Sequence, residues 1–314
     1  LVAFVLGRAQ LGGAGDHVAN PLTAADRPML VRGGLGLVLL LALAALGALA
    51  ATSLSTGELS FGTSGIVNMI SYLAFAAPII YFVVMLRSPK VTAPERSRVR
   101  AYIPLFVAAT LFWMIFEQAA SSMSAYAESR TRLDVLGLTI QPEFFQSVNP
   151  ALIILLAPVF ALLWMRLGRR GPSTAVKFGI GLALASLSFL FLAGMTALAG
   201  DGLVSSWVLI GTYALQTLGE LCLSPVGLAA TTMLAPVAFR SQSMSLWFLA
   251  PAAGQAITAQ IVSATSDLTE NFVPYFGMIG GVTLGLTAVF FFFTPWITRH
   301  IAAGEKGLSG QGAS

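Results

Sequence analysis

Two carboxylates stand out for where they lie. Glu117 sits in Leu-Phe-Trp-Met-Ile-Phe-Glu-Gln and Glu220 in Gln-Thr-Leu-Gly-Glu-Leu-Cys-Leu, each well inside an apolar run long enough to cross a membrane. A charge near the bilayer centre costs about 2.5–3.5 kcal/mol on insertion scales, so such groups face a bundle interior, find a partner or line an ion path. With about 1.5 Å of rise per residue, Glu220 lies roughly 24 Å along a span entered near Val204, close to its middle. No lysine or arginine lies at mid-depth in any span, so a cationic partner must be a substrate or a segment outside this chain. Burial favours the protonated form of a carboxylate and a nearby ammonium or guanidinium reverses that preference. The chemistry on offer is therefore alternate proton binding and ion pairing; a protonated glutamate that merely packs is the alternative.

Amides and aromatics surround these two positions. Gln146, Ser147 and Asn149 open a span just before Pro150, where a regular first hydrogen bond is lost and polar groups either cap the helix or point into a cavity. Trp113 precedes Glu117 by four residues and shares its helical face. Trp247 lies on the span after the Glu220 helix, and both tryptophans sit deeper than an interfacial belt, as pocket-lining residues would. No enzyme constellation accompanies them. His17 and His300 flank the spans, no H-E-x-x-H or G-x-S-x-G occurs, and Gly12 to Gly15 lacks the Lys-Ser/Thr of a phosphate loop. The one cysteine, Cys222, has no partner for a disulfide or a cysteine metal cluster.

The elements that must position these groups can be read from composition. Hydrophobic residues make up 56% of the 314 and charged residues 10%, against about 25% charged in an average soluble domain. Spanning-length stretches occur near 33–54, 64–86, 101–127, 144–165, 174–199, 204–234, 242–264 and 273–298. Each is expected to be helical, since lipid leaves a backbone no other way to satisfy itself short of a closed barrel, and barrel alternation is absent. Alternating sides at each span puts fifteen basic residues on one face and only Arg130 and Arg132 on the other, which predicts a cytoplasmic C-terminus. That distribution accounts for the basic pI better than nucleic-acid binding does. The first two stretches, almost free of charge, read as a lipid-facing hairpin beside a six-helix bundle. Leu1 to Leu6 lacks the flanks of a signal peptide and reads as the end of a severed helix.

Several strings in order then resemble a known family. These are Phe112-Trp113-x-x-Phe116-Glu117-Gln118; Gln146-Ser147-Val148-Asn149-Pro150 with Ala157-Pro158; Gly219-Glu220-Leu221-x-Leu223-Ser224-Pro225-Val226-Gly227-Leu228; and Leu234-Ala235-Pro236 with Trp247-Phe248. Together they resemble the proton-dependent oligopeptide transporter family of the major facilitator superfamily, over nearly the whole chain. The Gly-Glu-Leu string is the most specific. The resemblance implies an all-α integral membrane fold. Residues 1–31 would be the end of the sixth helix and a cytoplasmic linker, 32–100 an inserted transmembrane hairpin with a basic loop, 101–299 the C-terminal six-helix bundle of helices seven to twelve, and 300–314 a cytoplasmic tail. The first five helices, with their E-x-x-E-R motif and a buried lysine, would lie outside this chain.

Carried onto these positions, the resemblance implies that Glu220 attracts the peptide amino terminus and forms a gating ion pair. Glu117 pairs with an arginine of the absent motif, Asn149 bonds the peptide backbone, and Trp113 and Trp247 line the pocket. It implies symport of di- and tripeptides into a bacterial cell across the inner membrane, driven by protons with no cofactor and with lipid and a companion N-terminal bundle as partners. The same scaffold carrying another small solute, or a non-transporting receptor or assembly module, is the alternative. Two departures are Met233, where the family often has lysine, and Gly254-Gln255, where it often has Gly-Asn.

Overall fold

The computed structural model describes residues 27–56, 63–135, 137–265 and 272–311. The expectations for residues 1–26, including the severed helix end and His17, lie outside them. The chain divides into two compact units, 1–69 and 70–314, with the boundary inside a helix. Helix α1 (Arg27–Thr56) and the first turns of α2 (Thr63–Arg87) belong to the first unit. Leu35, Val38, Leu39 and Leu46 of α1 are exposed, which suits a helix whose solvent is lipid rather than water.

The second unit takes the rest of α2 and then α3 (Ala93–Phe116), a 3₁₀ turn (Glu117–Ala120), α4 (Ser122–Arg130) and a two-stranded hairpin of β1 (Asp134–Val135) and β2 (Leu138–Thr139). A 3₁₀ turn (Pro142–Ser147) leads into α5 (Val148–Leu167), and after it come α6 (Thr174–Ala199), α7 (Ser206–Leu234), α8 (Arg240–Ala264) and α9 (Phe272–Gln311). Six helices among the described residues are long and apolar enough to cross a membrane: α2, α3 with its turn, α5 with its turn, α6, α7 and α9. This is an all-α, multi-pass membrane protein. Eight such spans are expected from the sequence; α1 and α8 are helical too, but the apolar core of α1 is only 17 residues, Gly34–Ala50, and α8 carries Gln255 and Gln260 among its polar groups.

Three boundaries differ from the expected ones: α9 runs on to Gln311, past the expected end at 298, and the other two differ for local reasons. Helix α3 starts at Ala93 instead of 101, because Thr92 and Glu95 form a capping box and Pro94 lies in the first turn. Glu95 accepts from the Thr92 backbone at 2.8 Å and, across the fold, from the Val237 N–H at 2.9 Å. The stretch read as one span, 101–127, is interrupted at Glu117–Ser121, where Ser121 leaves helical geometry at φ −128°, ψ −97°.

The core joins α3, α6, α7, α8 and α9, and it closes through small residues. At Gly181 and Gly219, a Cβ on either would lie 2.7–2.8 Å from the other's carbonyl oxygen, and at Gly280 one would lie 2.9 Å from the Ser186 carbonyl oxygen. Lipid does not drive helices together hydrophobically, so close backbone packing at small residues takes over that role.

Candidate functional site

Helix α7 presents Glu220 half-buried, with Thr217 one turn before it. From the second residue of α5, the Asn149 Nδ2 donates to Glu220 Oε2 at 3.0 Å and to Thr217 Oγ1 at 3.1 Å. A side-chain amide has two hydrogens on nitrogen, so both bonds form at once. Thr217 sends its own proton to the Tyr213 carbonyl at 2.8 Å. The two acceptors thereby define which way the amide faces. None of the residues of α5 is fully buried, although Val148 packs against the core, so this polar contact is a main tie between the helix and α7. Replacing Asn149 with leucine leaves the Glu220 carboxylate and Thr217 without their donor and is expected to cost about 1–3 kcal/mol, read as a lower thermal midpoint in detergent. Asn149→Gln, which keeps the amide, should recover part of it.

Glu117 begins the break in α3, and its half-buried carboxylate makes no hydrogen bond or ion pair with any described residue. The interruption is stabilised from outside. The Met114 carbonyl accepts from Thr258 Oγ1 at 2.7 Å, and the Ala119 carbonyl accepts from Ser124 Oγ at 2.9 Å. One turn before Thr258, a Cβ on Gly254 would lie 2.7 Å from the Met114 nitrogen and 2.8 Å from the Trp113 carbonyl carbon. Helix α8 therefore lies backbone against backbone on α3 where α3 ends.

Next to Glu117, Gln118 is wholly buried, and its Oε1 accepts from Ser122 Oγ at 2.6 Å and from the Tyr275 hydroxyl at 2.7 Å. On α7, Gln216 is also buried, one turn before Glu220, and its Nε2 approaches the Met123 sulfur at 3.5 Å. Neither glutamine is among the candidates expected from the sequence. The signal that marks Glu117 and Glu220 marks them as well, since an amide in an apolar run must also be satisfied.

Trp113 is half-buried and packs edge-on against Phe112 and Phe116, with ring centroids at 5.6 and 5.1 Å. A Cβ on Gly219 would lie 3.1 Å from the Phe112 ring, so this aromatic trio abuts α7 beside Glu220. Trp247 is 3% exposed. Its ring fills a slot on Gly227, where a Cβ would lie 2.1 Å away, and meets Phe178 edge-on at 6.3 Å. Gln146 Nε2 donates to Ser124 Oγ at 3.1 Å, tying the turn before α5 to α4. Glu220, Asn149 and Thr217 are thus in direct contact, Trp113 approaches them through Phe112, Glu117 marks the break in α3, and Trp247 packs two turns beyond Glu220.

Known proteins share this arrangement of helices. The model of the POT family matches residues 60–279. A transporter of Bacillus subtilis (strain 168) described as uncharacterized, YclF, is 42% identical over 300 residues, which is 95% of this chain and 58% of that protein. A di-/tripeptide transporter of Lactococcus lactis subsp. lactis is 46% identical over 220 residues, 68% of this chain and 44% of that one. Crystal structures of a peptide transporter POT with sulfate and of a POT family transporter with 5-aminolevulinic acid each superpose with a TM-score of 0.77. They share 47% and 36% identity with this chain, cover 95% of it, and are themselves covered to 59% and 60%. The chain spans about half the length of the curated relatives it matches.

Proposed function

The chain belongs to the POT family, and we propose that it supplies the C-terminal half of a proton-coupled symporter that carries di- and tripeptides into a bacterial cell. Its fold is of the major facilitator type. In this reading residues 1–31 end the sixth helix and its linker, 32–100 form an inserted hairpin, 101–299 are helices seven to twelve and 300–314 are a cytoplasmic tail. An N-terminal bundle of the same polypeptide completes the site, and the membrane is the bacterial inner membrane.

The observation that carries the proposal is the Asn149–Glu220–Thr217 contact. A carboxylate held by one oxygen keeps its other oxygen for a peptide ammonium, and a charge-assisted bond of that kind is among the strongest available to a small ligand. Glu117, with no partner among the described residues, is the second acidic group, and we assign it to proton coupling with a cation of the companion bundle. Trp113 is assigned to the pocket wall; Trp247, expected to line it as well, is packed on Gly227 and Phe178 and is assigned to the layer behind it. The names of the Lactococcus relatives, di-/tripeptide transporters, support the substrate class.

The experiment is uptake of a labelled dipeptide by the full-length protein in proteoliposomes. Accumulation is expected only when the outside is more acidic than the inside, with competition by unlabelled di- and tripeptides. Competition by nitrate or nucleosides but not by peptides would transfer the site to another solute. Binding without accumulation under any gradient would leave a receptor.

A further inference from the structure

Helices α3 and α9 leave a groove on the outside of the bundle. One cavity of about 470 Å³ is lined by Arg100, Ile103, Pro104, Phe293 and Trp296. A second of about 330 Å³ shares Ile103, Pro104 and Phe293 with it and continues to Leu111 on α3 and Leu286 on α9. The sequence explains why helices that pack against each other part here. Pro104 has no N–H for the Arg100 carbonyl, and Pro295 has none for the Phe291 carbonyl, which takes the Thr294 hydroxyl at 2.7 Å instead, so both helices lose a backbone hydrogen bond beside the groove. From Arg100 to Leu111 the groove runs along eleven residues, about 16 Å of helix. That is about the depth of one leaflet of a hydrocarbon core roughly 30 Å thick.

One end of the groove is polar, and one of its arginines has no partner among the described residues. Three arginines lie within two turns at the start of α3. Arg96 donates to the Ser88 carbonyl at 3.1 Å and Arg98 to the Met233 carbonyl at 2.8 Å. Arg100 is exposed and makes no hydrogen bond or ion pair with a described residue. Among the described side chains of that end, the acidic Glu95 is 4% exposed, accepts from Thr92 and Val237 and faces the Arg98 charge. Beside Arg100, the Trp296 ring is 41% exposed and lies against the His300 ring at 4.1 Å. A free guanidinium, a tryptophan of interfacial kind and an apolar channel one leaflet deep match the three parts of a phospholipid: phosphate, glycerol region and acyl chain.

We propose that this groove is a binding site for one anionic phospholipid, its phosphate on Arg100 and one acyl chain lying along Ile103, Pro104 and Leu111. The test is native mass spectrometry of the full-length protein titrated with phosphatidylglycerol or phosphatidylcholine. The wild type should retain one phosphatidylglycerol about fivefold better than phosphatidylcholine, the effect of one basic side chain near an anionic surface. Arg100→Gln should erase the preference and Arg100→Lys should keep part of it. A wild-type protein without preference, or an Arg100→Gln protein that keeps it, overturns the proposal. A second measurement needs no change at Arg100. Phosphatidylglycerol brominated on its acyl chains, diluted into phosphatidylcholine vesicles, should quench wild-type fluorescence more than that of Trp296→Phe. Equal quenching means that protein, either another segment or a second copy, covers the groove, and that also overturns it.

Discussion

Glu220→Gln in the full-length protein is expected to abolish proton-driven dipeptide accumulation while leaving the protein folded. Glutamine matches glutamate in size and retains an oxygen to accept from Asn149, which now lies 3.0 Å from Oε2, so the α5–α7 contact survives. The charge does not. A hydrogen bond to a charged group contributes about 1.5–3 kcal/mol, so dipeptide affinity should fall by roughly 10- to 150-fold, and transport at limiting substrate should fall at least as far. Glu117→Gln should behave differently. It also removes a carboxylate, but from the coupling step, so gradient-driven accumulation should be lost while exchange of internal for external dipeptide persists. Uptake by Glu220→Gln at wild-type levels would remove Glu220 from the site. Loss of exchange in Glu117→Gln would show that the two carboxylates share one task.

Gly254→Leu is expected to prevent the bundle from forming. The atoms a Cβ would strike are the Met114 nitrogen at 2.7 Å and the Trp113 carbonyl carbon at 2.8 Å, both backbone. A side-chain neighbour can rotate away, but a helix backbone moves only with its helix. The cost should therefore exceed the ~1–3 kcal/mol usual for an overpacked core. Separating α8 from α3 also withdraws Thr258 from the Met114 carbonyl, a bond of 2.7 Å, and leaves the broken end of α3 unsatisfied. Gly285→Ala is the matched control. Nothing lies within 4 Å of a Cβ there, and replacing a helical glycine with alanine is worth about 0.5–1 kcal/mol. Size-exclusion profiles and thermal midpoints in detergent separate the outcomes: an aggregated or absent Gly254→Leu beside a monodisperse Gly285→Ala is expected, and a monodisperse Gly254→Leu of unchanged midpoint would refute the close approach.

The cost of placing groups in lipid makes part of this protein legible in its sequence. Apolar runs near 20 residues must be helices, because no other open backbone satisfies itself there. Glu117 and Glu220 are conspicuous for the same reason, since a carboxylate in such a run has no cheap explanation. Both features depend only on composition along the chain, and the helices α5, α6 and α7 lie close to where composition puts them, as does the start of α9.

How those groups are used is decided by tertiary packing, because the deciding contacts join positions far apart in the chain. Asn149 looks like a cap beside Pro150, yet its amide crosses to Glu220 and Thr217, 71 and 68 residues away. The break after Phe116 is invisible in a hydrophobic run. It holds because Thr258, 144 residues on, donates its hydroxyl proton to the Met114 carbonyl. Trp247 lies deep in its span by sequence, but whether it faces a cavity or packs inside depends on the missing side chain at Gly227. Depth in the membrane is a one-dimensional property that a sequence carries directly. Which side chain meets which across two helices depends on where small residues let backbones approach, and that is settled only when the helices pack.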